Sequence, residues 1–206
     1  DCEISHTDIR TLRACLQAHP EAGLVGPQGW RSSSQMQKSW RPAFHQTQPK
    51  GPYRAPEQVT PAGWIHGSCY LVRREAFERI GGFDPVFFLF YEDDDFCLRL
   101  QQAGYTCLIE PAARSLHLGG KSSHPSKRTT FIKRFHYARS RQIALARYAG
   151  QAAARPHRWR LTAAWIPAML VYGLAFRGQA VIKWAAWGLA GFCATIGVDV
   201  LSRKIR

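Results

Sequence analysis

The stretch Gly81-Gly82-Phe83-Asp84-Pro85-Val86-Phe87-Phe88-Leu89-Phe90-Tyr91-Glu92-Asp93-Asp94-Asp95-Phe96-Cys97-Leu98-Arg99 decides how this chain is read. Four consecutive carboxylates, Glu92 to Asp95, follow an aromatic and aliphatic run and open an apolar helical pattern. Adjacent like charges repel, and apolar neighbours withhold the water that would screen them. Two readings compete. Acids at a helix start cap N–H groups and meet the positive end of the dipole, which requires no ligand. Otherwise the cluster serves something cationic or reactive.

Working outward, strand and helix signals alternate. Ser5-His6-Thr7-Asp8 is a capping signal, and it predicts a helix ending near His19-Pro20. Gly23 to Gly26 is a short strand candidate, and residues 28–61, polar and aperiodic, read as a loop long enough for a substrate lid. A buried strand is expected from Gly63 to Val72, a short helix from Arg74 stopped by Gly81-Gly82, and another from Asp94 to Ala103. Tyr105 to Ile109 and Arg114 to Leu118 read as two strands split by Glu110-Pro111. The alternation argues for an α/β domain. Helical periodicity resumes from about Thr129 to Tyr148. Two apolar stretches close the chain, Leu161 to Phe176 with Pro167 inside and Ala180 to Leu201 with Lys183 and Asp199 inside. Neither is a clean membrane span. Their tryptophans beside Arg158, Arg160, Arg177 and Lys183 fit a pair of helices lying in a membrane interface.

Charge divides the chain. Residues 1–113 hold 11 Lys and Arg against 13 Asp and Glu, whereas residues 114–206 hold 17 against Asp199 alone. A basic, increasingly apolar tail suits an anionic membrane surface or nucleic acid. No nucleic-acid-binding motif accompanies the charge, so nucleic acid is not an expected partner. The six cysteines show no zinc spacing and no Cys-x-x-Cys pair, and buried thiols in a reducing cytoplasm are expected.

With Gly67-Ser68-Cys69-Tyr70-Leu71-Val72-Arg73-Arg74-Glu75-Ala76-Phe77 upstream and His117-Leu118-Gly119-Gly120-Lys121 downstream, the acidic stretch resembles the acceptor half of family-2 glycosyltransferases. The bacterial rhamnosyltransferase-like branch, which builds cell-surface polysaccharide, is the nearest in character. The resemblance covers residues 1–150 and implies a partial GT-A type, Rossmann-like α/β domain. Residues 151–206 follow as a basic, apolar, membrane-associated helical tail. It implies an inverting enzyme that moves a sugar from a nucleotide-sugar donor to a saccharide or lipid-linked acceptor. The enzyme would be cytoplasmic, at the inner face of the plasma membrane.

The same resemblance assigns roles. Asp93 is the base that takes the acceptor proton, with Glu92 beside it, and Asp95 stands one helical turn from Arg99 at the pairing distance. Glu92, Trp64, Gly67, Arg99 and Lys121 are the expected substrate-binding residues. His117, with Asp1 and Glu3 as the two acids of an Asp-x-Asp-like motif, is the expected ligand set for a divalent metal, Mg²⁺ or Mn²⁺. On this reading the chain starts inside the active site and lacks the nucleotide-binding half, so the isolated fragment is expected to be inactive. Phe87, Phe88, Phe90 and Tyr91 are either a sugar-stacking platform or core, with at least two of them core. The rival expectation is a noncatalytic basic module binding anionic lipid or nucleic acid through residues 114–206.

Overall fold

The structure is a computed structural model that describes residues 2–119, 124, 126–174 and 177–195. It opens with the edge strand β1 (Cys2–Ile4) and helix α1 (His6–Ala18). Ser5 caps α1 by accepting the Asp8 N–H at 3.1 Å, so the capping signal is where the helix starts. Then come β2 (Ala22–Trp30), β3 (Trp40–Arg41), β4 (Thr60–Pro61), β5 (Trp64–Ile65) and β6 (Leu71–Val72). Helices α2 (Arg74–Arg79) and α3 (Glu92–Gln102) and the long strand β7 (Thr106–His117) follow. These elements belong to one unit, residues 2–84 with 92–119.

In that unit β7 is central. It runs parallel to β2 on one side, while β1 and β4 pair antiparallel with different parts of its other edge; β6 closes the order β1-β7-β2-β6. Alternation along the strands feeds two cores. Leu24, Cys107 and Ile109 pack with Phe96, Cys97 and Leu100 of α3, whereas Val25 and Leu108 pack with Leu12 and Cys15 of α1. Helices therefore cover both faces of the sheet, the α/β arrangement expected.

Three expectations are corrected. The two strands foreseen on either side of Glu110-Pro111 are one strand. The β2–β7 register jumps there, from Pro27↔Glu110 to Gln28↔Arg114, and this irregularity takes up Pro27 and Pro111, which lack a ladder N–H. The single strand foreseen over residues 63–72 is two short ones, β5 and β6, separated by a turn that carries His66 and Gly67. The aperiodic segment 28–61 is built into the sheet edge by polar contacts. Buried Gln28 donates to the Gln37 carbonyl at 2.8 Å, Ser39 Oγ accepts from the Gly29 N–H at 2.7 Å, and the Tyr53 hydroxyl donates to Gln28 Oε1 at 2.6 Å.

The second unit comprises residues 85–91 and the described residues from 124 onward. It contains α4 (Lys127–Ala144), a π-helical turn (Leu145–Ala149), α5 (Gln151–Leu174) and α6 (Gly178–Thr195). The helix read from sequence as closing the first domain thus packs with the tail. Its core joins Phe135 and Ala138 of α4, Leu161 of α5, and Ala186 and Ala190 of α6. Gly188 allows the close approach of α6 to α5, because a Cβ there would fall 2.3 Å from the Trp165 ring. The aromatic run lies against α4. Arg139 donates to the Val86 carbonyl at 2.7 Å, Ser140 to that of Leu89 at 3.0 Å, and Phe90 and Tyr91 meet the Tyr137 ring. Phe87 is buried and Phe88 is 64% exposed. Among the described residues no helix is long and apolar enough to cross a membrane. Trp159, Ile166, Leu170 and Val171 of α5 and Leu189 and Phe192 of α6 are exposed.

Candidate active site

Successive residues on a helix are turned about 100° from one another, so the four acids that open α3 point in four directions and meet different neighbours. Asp95 is fully buried and accepts from Arg99 Nε at 2.7 Å, while Arg99 Nη1 donates to the Ile80 carbonyl at 2.8 Å. The pairing at i, i+4 is the one expected, and it turns Arg99, a proposed substrate ligand, toward the protein interior. Asp94 is also buried, and Arg41 Nη2 donates to both of its oxygens at 2.6 and 2.8 Å. The Arg41 guanidinium lies over the Trp64 ring, 4.3 Å from its centroid. Burial pushes the Asp94 carboxyl up to about 7, with Arg41 opposing the rise and Asp93 adding to it. Glu92 is half-buried, its Oε2 has no hydrogen-bond partner, and burial raises its pKa.

Asp93 is different. It is half-exposed, and its Oδ2 accepts the Gly67 N–H at 3.2 Å while its Oδ1 accepts the Asp94 N–H at 2.9 Å. Two backbone donors fix the carboxylate without a cation. Gly67 permits the approach: a Cβ there would sit 3.1 Å from Asp93 Cβ. The turn into α3 is itself strained, with Phe90 and Tyr91 both at φ 65°. Non-glycine residues in that region cost about 1–3 kcal/mol each, and such strain gathers at functional sites.

Beside Asp93 stands a polar chain. The Gln37 side chain bridges two imidazoles: its Nε2 donates to His66 Nε2 at 2.7 Å and its Oε1 accepts from His117 Nδ1 at 3.1 Å. His66 Nδ1 lies 2.9 Å from Ser68 Oγ and 3.1 Å from the Ser68 backbone nitrogen, and the His66 and His117 rings lie 5.3 Å apart. Burial lowers the pKa of His66, with Asp93 opposing and His117 and Arg31 reinforcing the fall; burial also lowers that of His117. Both imidazoles are therefore neutral at pH 7.

Of the residues expected at the site, Asp93, Gly67, Glu92 and Trp64 come together around the start of α3 and the β5–β6 turn. Trp64 is buried beneath Arg41, so its face is already covered. Asp1 and Lys121 lie outside the described residues. Glu3 and His117 are not on one face. Cys2 is the residue opposite His117 in the β1–β7 ladder, and Glu3 is opposite Leu116. Side-chain alternation thus sends Glu3 to the other side of the sheet. Among the described residues no group of three His, Cys, Asp or Glu side chains converges as a metal site. Of the expected Asp1, Glu3 and His117 set, the two described members therefore lie on opposite faces of the sheet.

Sequence reading missed Gln37 and Arg41, and left Asp94 without a role. Both partners come from the aperiodic segment, 29 residues from His66 and 53 from Asp94. The only local sign was an Arg between Trp40 and Pro42.

Comparison with known proteins gives a consistent picture. The family model for glycosyl transferase family group 2 matches residues 14–200. The chain is 34% identical over 172 residues to an N-acetylglucosaminyl-diphospho-decaprenol L-rhamnosyltransferase of Mycobacterium tuberculosis, a match covering 74% of this chain and 55% of that protein. It is 38% identical over 78 residues to the rhamnosyltransferase WbbL of Escherichia coli, covering 38% of this chain and 28% of WbbL. A shorter match, 38% over 44 residues, is to the low-salt glycan biosynthesis hexosyltransferase Agl10 of Haloferax volcanii, covering 21% of this chain and 14% of that protein. The chain spans about half the length of the mycobacterial relative.

Proposed function

The chain belongs to glycosyl transferase family group 2, and from that premise we propose that it carries the acceptor side of an inverting glycosyltransferase whose general base is Asp93. The observation behind this reading is the division of labour in the acidic run. Asp94 and Asp95 are held by part-buried arginines, whereas Asp93 is held by two backbone N–H groups at the half-exposed rim. An acceptor hydroxyl is a weak nucleophile near pH 7. As its oxygen bonds to the anomeric carbon of the donor sugar, its proton passes to the Asp93 carboxylate and the bond to the nucleoside diphosphate breaks. The transition state is oxocarbenium-like, and attack from the face opposite the leaving group inverts the centre.

The donor class is a nucleotide sugar. The acceptor class is a lipid-linked saccharide, in line with the decaprenol-linked acceptor in the name of the mycobacterial relative. The exposed apolar residues of α5 and α6, among basic ones, support association with the inner face of the membrane. A divalent cation, when bound, would neutralise charge on the departing diphosphate. His117 is the described residue of the expected set that would hold it. The described residues complete no such site, and no step above depends on it.

The test uses the full-length protein. Asp93→Asn should lower kcat by about 10² or more, the usual scale for loss of a general base, with donor binding unchanged. Turnover above about a third of wild type would refute the assignment. Transfer that persists in excess chelator would remove the metal from the scheme. The rival reading as a basic binding module explains the tail but gives no role to the Asp93–Gly67 contact.

A further inference from the structure

The described helices of the second unit are rich in cations. From 124 to 195 its described residues contain no Asp or Glu, while Lys and Arg recur on α4, α5 and α6. Three of the cations converge. Arg141 of α4, Arg160 of α5 and Lys183 of α6 line a cavity of about 370 Å³, together with His157, Trp184 and Trp187. Like charges brought together without a counter-ion repel, and the helices that bring them together gain nothing from the arrangement in the absence of an anion.

Two further details point inward. His157 Nε2 and Trp187 Nε1 are buried without a hydrogen-bond partner, an unfavourable state for polar atoms unless a ligand supplies one. Burial, reinforced by Arg141 and Arg160, keeps the His157 pKa below its ordinary value, so His157 is neutral near pH 7 and the charge of the cavity comes from the two arginines and the lysine. Lys183 also sits over the Trp187 ring, 4.3 Å from its centroid, which holds its ammonium at the wall. The same helices expose Ile166, Leu170, Val171, Leu189 and Phe192. A cationic cavity on helices that also carry exposed apolar residues matches an amphiphile with an anionic head.

We infer that the cavity between α4, α5 and α6 binds the diphosphate head of a lipid-linked acceptor, the hydrocarbon chain lying along the exposed apolar residues of α5 and α6. This rests on the glycosyl-transfer reading for the identity of the lipid. A diphosphate brings two or more negative charges to three cations, and its oxygens supply acceptors for the Trp187 and His157 ring nitrogens. Arg141 and Arg160 can each present paired N–H donors to phosphate oxygens.

The test is equilibrium binding of farnesyl diphosphate to the chain in nonionic detergent, followed by tryptophan fluorescence because Trp184 and Trp187 line the cavity. A saturable change is expected. Arg160→Gln and Lys183→Gln should each weaken it by about tenfold, as for loss of a charge-assisted contact. Arg128→Gln removes an exposed charge outside the cavity and should leave binding within about twofold of wild type. Farnesol should not bind, and inorganic pyrophosphate should bind at least about tenfold more weakly, since it lacks the apolar part.

No saturable response would overturn the inference, as would equal losses in all three variants. Pyrophosphate as strong as farnesyl diphosphate would assign the cavity to a free anion instead. Phosphatidylglycerol vesicles that displace farnesyl diphosphate completely would assign it to the general membrane surface. Asp93→Asn should bind farnesyl diphosphate like wild type. Its binding therefore separates the two proposals: transfer without cavity binding removes only this one, and cavity binding without transfer removes only the glycosyltransferase reading.

Discussion

The two units treat charge in opposite ways. In the α/β unit, two of the acids that open α3 are consumed by architecture, Asp94 by Arg41 and Asp95 by Arg99, while Glu92 keeps an unpartnered oxygen and Asp93 stands at the rim on backbone donors. In the helical unit, the described residues from 124 to 195 include no Asp or Glu, and Arg141, Arg160 and Lys183 line one cavity. A charge neutralised within the fold reports on stability. One without an internal partner reports on something brought from outside. Each prediction below either breaks that distinction or makes it sharper.

The largest effect is expected where architecture is strongest. Arg41→Gln leaves the buried Asp94 carboxylate without its cation, and removing one partner of a buried pair costs about 3–5 kcal/mol. Urea unfolding should show that loss, while the double variant Arg41→Met/Asp94→Leu should recover most of it. A loss below about 1 kcal/mol would mean that the pair is ornamental. The pair also fixes a pH dependence. Folding raises the Asp94 pKa from 3.8 to about 7, so the folded state holds this proton more tightly than the unfolded state. Asp94 therefore draws stability down as pH rises through that window, and the loss is complete above it. Asp94→Asn should remove that slope, seen as a smaller difference between urea midpoints at about pH 5 and about pH 8.

Next in size is the contrast between neighbours. Asp93→Asn should cost about 10² in kcat and change the unfolding free energy by less than about 1 kcal/mol, since the asparagine side-chain oxygen still accepts a backbone N–H. Asp94→Asn should do the reverse, lowering stability by several times more. If the two substitutions changed the same quantity, the division within the acidic run would be lost. Gly67→Ala is a finer probe. Its Cβ would press on Asp93 Cβ at 3.1 Å, and a displaced base should cost about tenfold in kcat with little change in donor KM, because small misplacements at a reacting centre are expensive.

These contrasts also mark what could be read from the sequence. Local chemistry was legible: Ser5 caps α1, Gly81-Gly82 follow α2, and Asp95 pairs with Arg99 one turn away. The acids do open a helix, and the α/β alternation is real. Pairings across long stretches of sequence were not legible. Arg41 reaches Asp94 across 53 residues, and Gln37 joins His66 to His117 from a segment with no period, because amide and hydroxyl networks leave no hydrophobic pattern. Glu110-Pro111 looked like a break because proline lacks a ladder N–H. The register jump opposite Pro27 let β7 continue through it. The expected grouping of Glu3 with His117 failed on a one-residue offset, which in a strand is a change of face.

The smallest effect separates the two contributions within the helical unit. We expect the chain to pellet with anionic vesicles. Each Lys or Arg near the surface contributes about 1 kcal/mol, while the exposed apolar residues of α5 and α6 add burial that salt does not screen. Raising salt to about 1 M should therefore weaken pelleting without abolishing it. Leu170→Ser and Phe192→Ser remove apolar area and leave every charge in place, so they should reduce the salt-resistant fraction and spare the salt-sensitive one. Both side chains are already exposed, 64% and 48%, so the substitutions should not disturb the helical core around Phe135 and Leu161. Complete release by salt alone, with duplex DNA competing for the protein, would mean that the cations act without the apolar residues. The basic-module reading would then account for the tail better than a membrane-bound glycosyltransferase does.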